Sequence, residues 1–108
     1  MGPFIKEQDW DYEVVAASQT TQILGPGITA TRTPSTQFLS HLVIIPETTA
    51  AGTVAIKDGS DTAVNVFVAG TLSNLQTFVI PLRMMNITGA WQVTTGANVH
   101  VIAVGRFT

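Results

Sequence analysis

Short runs of apolar and β-branched residues, separated by glycine, proline and aspartate turns, constrain the fold of this chain most strongly. The runs have only five to nine residues and show no helical repeat of apolar positions. Seven to nine such strands fit within the 108 residues, a length that suits one domain. The pattern therefore predicts an all-β fold, a single-domain antiparallel β-sandwich or jelly-roll-like barrel.

Turn residues and apolar runs place the individual strands. Residues 37–45 are apolar on both parities, which predicts a central strand covered on both faces. Asp58-Gly59 predicts a hairpin turn, and Pro81 predicts an edge strand or a bulge. Residues 89–107 predict a last hairpin, with its turn at 96–98. The other predicted strands lie at 11–18, 22–24, 28–32, 53–57, 63–69 and 77–82.

The chain divides into two parts at residue 10. Residues 1–9 begin with Met-Gly-Pro and lack strand periodicity, so we expect an extended N-terminal arm, followed by a β-sandwich domain at 10–108. Phe4 and Ile5 of the arm lead into Trp10 and Tyr12, apolar groups that a free arm would leave in water. These four residues are the predicted partner interface.

Charge is scarce in this chain. Only 11% of the residues are charged, against roughly 25% in an average soluble domain, and 16 threonines supply much of the polar surface. The five Lys and Arg stand singly, so nucleic acid binding is not expected. No apolar run is long enough for a membrane span, and the start lacks a signal-peptide core. A secreted monomer fits this composition, but a subunit whose apolar flanks are covered by neighbours is favoured.

No arrangement of residues indicates catalysis, a cofactor or a metal. The chain has no cysteine, which excludes thiol chemistry and thiolate metal sites. His41 and His100 fall in predicted strands and could be cross-strand neighbours, but neither stands near a carboxylate in sequence, and a metal site needs three or four ligands. We interpret them as structural or interface histidines and predict no catalytic residue, no metal ligand and no cofactor.

Acidic and aromatic residues alternate near the N-terminus. In a straight strand, the four carboxylates between Glu7 and Glu13 lie on one face, and Trp10 and Tyr12 lie on the other. The carboxylates could bind a cation. An acidic edge whose aromatic face packs onto a partner is favoured, because the segment lacks the glycine-turned loop of a calcium site. Trp91 lies in a strand and is predicted to belong to the core.

The succession of strands and turns in Val54 to Gly59, Val66 to Gly70, Phe78 to Leu82 and Gly89 to Val99 resembles small virion structural proteins of tailed bacteriophages. The resemblance covers roughly residues 39–108 and includes no catalytic signature. It implies a non-enzymatic subunit that decorates or cements the capsid, or that lies at a head-to-tail joint or on a fibre. It also implies contacts with the major capsid protein or other virion proteins, a trimer or another homo-oligomer, and a place in virions assembled in the host cytoplasm.

An alternative hypothesis is a carbohydrate- or receptor-binding module, associated with a tail or fibre, that stacks its ligand on Trp91, Trp10 or Tyr12. The structure can separate the two readings. An aromatic side chain exposed on a concave face favours ligand binding. A buried Trp91 with a flat apolar flank favours assembly with other subunits.

Overall fold

A computed structural model describes residues 10–25, 37–68 and 76–107, and these residues form two antiparallel sheets of four strands each. No helix occurs in these ranges, so the all-β prediction is confirmed, and no helix there could cross a membrane. The strands are β1 (Asp11–Val15), β2 (Gln22–Ile23), β3 (Phe38–Pro46), β4 (Val54–Asp58), β5 (Val64–Phe67), β6 (Phe78–Met85), β7 (Trp91–Thr95) and β8 (Val99–Arg106).

The strands form nested pairs: β4 pairs with β5, β3 with β6, β2 with β7 and β1 with β8. The first sheet has the order β1-β8-β3-β6 and the second has the order β2-β7-β4-β5. The predicted hairpin at Asp58-Gly59 is confirmed, and Gly59 takes the left-handed backbone conformation, with φ of 56°, that glycine adopts without strain. Pro81 lies in β6, at the edge of the first sheet, as predicted, because an edge strand tolerates a missing N–H group.

Both sheets contribute side chains to one apolar core, in a sandwich-like arrangement. Alternate residues of each strand face inward, and Trp91 is only 5% exposed, which confirms its prediction as a core residue. The core includes Leu42, Ile44 and Val101 from the first sheet and Ile56, Trp91 and Val93 from the second.

A buried glutamine joins the two sheets at one end of the core. Gln37 precedes β3 and is completely buried. Its Nε2 donates to the carbonyl oxygen of Leu24 at 3.0 Å, and its Oε1 accepts from the backbone N–H of Trp91 at 2.7 Å. Leu24 follows β2 and Trp91 begins β7, both of the second sheet, so one side chain satisfies two backbone groups across the core.

The predicted hairpin at residues 89–107 is wrong. β7 belongs to the second sheet and β8 to the first, so the turn at 96–98 crosses between sheets. The turn bonds to the β3–β4 connection, since Gly96 donates to the carbonyl of Thr53 and Gly52 donates to the carbonyl of Ala97. The backbones of Gly52 and Gly96 approach so closely that a Cβ on either would lie 2.8 Å from the other Cα. Alternation along two consecutive strands does not distinguish such a corner from a hairpin.

Other sequence predictions are met in part. The sequence predicts a strand at 11–18, but β1 ends at Val15. Ser18 has a positive φ of 62°, which strands do not adopt. β3 is central, as predicted, but its outward residues Val43 and Ile45 are only half-buried, so the described chain covers just one of its faces. The predicted arm at 1–9, with Phe4 and Ile5, and the predicted strand at 28–32 lie outside the described residues.

Candidate interaction surface

The outward faces of the two sheets differ in chemistry. The second sheet presents mainly polar residues outward, among them Lys57, Asn65, Gln92 and Thr94. The first sheet presents a surface that we call the apolar face. The apolar face consists of Tyr12 and Val14 of β1, His41, Val43 and Ile45 of β3, Val79 and Pro81 of β6, and Ile102 and Val104 of β8.

Strand register makes the apolar face continuous. Residues directly opposite one another share a side of the sheet, so outward residues form rows across all four strands. Tyr12, Val14 and Val79 are 72%, 52% and 61% exposed. One row consists of Tyr12, Val104, His41 and Pro81, and the next consists of Val14, Ile102, Val43 and Val79. The second row contains only β-branched apolar residues, in a position normally covered by another layer.

An open groove of about 540 Å³ lies at the β1 side of this face. Trp10 packs beside it, with its ring centroid 5.9 Å from that of Phe38 and 6.3 Å from that of His41. The Nε1 of Trp10 is buried without a hydrogen-bond partner in the part of the chain that the structure describes. The groove is lined by Trp10, Asp11, Tyr12, His41, Ile102 and Val104. Two predicted interface residues, Trp10 and Tyr12, thus lie together on the outside of the first sheet.

Of the carboxylates near the N-terminus, Asp11 lines the groove beside Tyr12, and Glu13 is bonded towards the second sheet. Asp11 and Glu13 alternate with Tyr12, and Glu7 and Asp9 lie outside the described residues. Glu13 accepts from Nε2 of Gln22 at 2.7 Å and from the backbone N–H of Gly25 at 2.9 Å. This carboxylate therefore links β1 to the β2 region of the second sheet, which is a structural role.

The two histidines are not cross-strand neighbours. His41 lies opposite Val104, and its Nδ1 is 3.0 Å from the hydroxyl of Ser40. His100 precedes Val104 by four residues in β8, and its Nδ1 lies 2.8 Å from a carboxylate oxygen of Glu47. The sequence alone leaves this contact open, because 53 residues separate its members. Across 10–25, 37–68 and 76–107, no cluster of three or more His, Asp or Glu residues is placed to hold a metal ion.

Asp58 has a structural role that its place in a turn only partly indicates. Its carboxylate accepts from the backbone N–H groups of Ile87, Thr88 and Gly89, at 2.7, 3.1 and 3.1 Å. These three hydrogen bonds to one carboxylate hold the loop after β6 against the β4–β5 turn. Asp61 strengthens the same contact by accepting from the hydroxyl of Thr88.

Comparisons with known proteins find no match for this chain. No protein-family model matches it, and neither a curated protein nor a solved structure shows significant similarity. The apolar face and its groove are therefore the features on which a function can be argued.

Proposed function

We propose that this protein is a non-enzymatic structural subunit of a tailed-phage virion, which decorates or cements the capsid by protein–protein contacts. The observation that carries the proposal is the apolar face of the first sheet, beside a second sheet whose outward side chains are mainly polar. Extended apolar patches of this kind on otherwise polar proteins mark contact sites. The sequence resemblance to virion structural proteins indicates which assembly the contact serves.

The strand order supports a finer assignment of the fold. Eight strands in two four-stranded sheets, paired in nested fashion around a central hairpin, support the jelly-roll alternative of the predicted fold. Jelly rolls occur in viral capsid proteins and also in lectins, so the fold is compatible with both functions considered for this chain. The chemistry of the surface favours assembly.

The mechanism of cementing is the burial of apolar area at many equivalent positions. Removing apolar surface from water contributes about 25 cal/mol per Å². Tyr12, Val14 and Val79 are more than half exposed, so a partner layer on the apolar face removes much of their area from water. Weak contacts become strong together when many linked copies engage a symmetric shell at once.

The proposal is tested with particles produced with and without the gene for this chain. We expect the protein in purified particles, and we expect purified protein to cosediment with particles that lack it. Val79→Asp should weaken this binding at least tenfold, because the interface would bury an unpaired carboxylate. Val64→Asp is the matched control, since Val64 is 58% exposed but lies on β5 of the second sheet. Protein that is missing from particles and does not bind them would refute the proposal.

Binding of a carbohydrate is the second candidate, and the groove favours it. Tyr12 is exposed for stacking beside Asp11, whose carboxylate could accept hydrogen bonds from sugar hydroxyls. Trp91 no longer supports this candidate, because it is buried in the core. Binding of a free oligosaccharide that is lost in Tyr12→Ala, together with unchanged particle composition, would make this candidate the better one.

A further inference from the structure

We infer that a second copy of this chain covers the apolar face, with the two copies related by a two-fold axis that runs across the strands. The inference rests on the proposed function only in assigning assembly to the apolar face. It adds that a second copy is the partner on this face, and it gives the orientation in which that copy docks. The particle then contacts other surfaces of the dimer, and Val79→Asp weakens particle binding because it separates two copies that bind together.

Charged residues lie at opposite ends of the apolar face. The register of β3 with β8 pairs Phe38 with Arg106 at one end and Pro46 with Val99 at the other. Arg106 is exposed at the first end, and Arg83 is exposed on β6 near it. Glu47, which directly follows Pro46, marks the second end and is 42% exposed. Asp11, opposite Gly105, also lies at the first end, so the two arginines leave that end net positive. Glu47, which contacts His100, supplies the negative charge of the second end.

This distribution is self-complementary in only one of two orientations. A two-fold axis across the strands turns the second copy end for end, so that Arg106 of each copy faces Glu47 of the other. An axis along the strands places Arg106 near Arg106, and like charges at an interface are unfavourable. In a two-fold interface each contact occurs twice, so the favourable orientation forms two Arg106–Glu47 contacts.

The size and shape of the apolar face also suit a second copy. Its four strands have five, nine, eight and eight residues and, at about 4.8 Å between strands and roughly 3.4 Å per residue, cover about 500 Å². Two such faces bury roughly 1,000 Å² in total, which is about the lower limit for a specific interface. Sheets of similar twist pack face to face, and the same sheet on both sides meets that condition.

Sedimentation velocity over a range of concentrations tests the inference. We expect the wild-type protein to reach twice the 11.5 kDa mass of one chain. Arg106→Glu and Glu47→Arg should each weaken the dimer about tenfold, because each creates two like-charge contacts. The variant with both substitutions should regain wild-type affinity to within about threefold, since the charges are exchanged and complementary again. Lys57→Glu, on the second sheet, is the control and should leave the dimer unchanged. Melting curves establish that every variant is folded.

The outcomes separate this inference from the proposed function. A single-chain mass at every concentration overturns the inference, whereas cosedimentation of that monomer with particles leaves the proposed function standing. A dimer that ignores both single reversals, or that the double variant does not restore, overturns the inferred face and orientation. A dimer that responds as expected but is absent from particles supports the inference and overturns the proposed function.

Discussion

Trp91→Ala is expected to lower the free energy of unfolding by about 3–5 kcal/mol, the range for removing a large aromatic side chain from a core. Trp91 is 5% exposed and packs among core residues of both sheets. Its Nε1 has no hydrogen-bond partner within the described residues, so the expected cost arises from packing. Denaturant unfolding at equilibrium measures the change.

Ile87→Ala is the control for this prediction. Ile87 is 91% exposed, so removing its side chain should change the free energy of unfolding by less than about 0.5 kcal/mol. A change below about 1 kcal/mol in Trp91→Ala would contradict the described core. It would also return Trp91 to the aromatic residues that a ligand could reach.

Gln37→Leu is expected to cost about 2–5 kcal/mol, because it leaves two buried backbone groups without partners. The carbonyl of Leu24 loses its donor, and the N–H of Trp91 loses its acceptor. Leucine nearly fills the same volume, so the substitution isolates the hydrogen bonds from the effect of a cavity. Gln76→Leu is the matched control, since Gln76 is exposed. Equal stability of the two variants would show that Gln37 does not bridge the sheets.

Local sequence patterns predict the strands of this protein well and their partners less well. Asp58-Gly59 forms the hairpin that its turn chemistry predicts, and Pro81 lies on an edge strand because it cannot donate to a ladder. The sheet that a strand joins depends on contacts distant in sequence. The N–H of Gly96 donates to the carbonyl of Thr53 instead of closing a hairpin. A pattern of alternating residues does not predict that contact.

The sequence predicts only part of the candidate surface. Trp10 and Tyr12 could be singled out because they alternate with carboxylates. Ile102 and Val104 could not be singled out. In sequence, an outward apolar residue cannot be distinguished from a core residue of a strand that is covered on both faces. The available signal was the run at 37–45, apolar on both parities. In a protein of two layers, a central strand of this kind leaves one face for a partner.

Chemical modification of Tyr12 tests the assignment of the apolar face most directly. Tyr12 is the only tyrosine of the chain and is 72% exposed on this face, so nitration detected by mass spectrometry reports on one position. The rate of nitration is compared between assembled wild-type protein and the Val79→Asp variant. The wild-type protein is used at a concentration where sedimentation shows association, or bound to particles. We expect nitration of Tyr12 to be at least about tenfold slower in the assembled protein, since a well-packed interface excludes water and solutes from its centre. Assembled protein whose Tyr12 reacts as fast as that of the variant would contradict this assignment, because the contact would then lie on another surface.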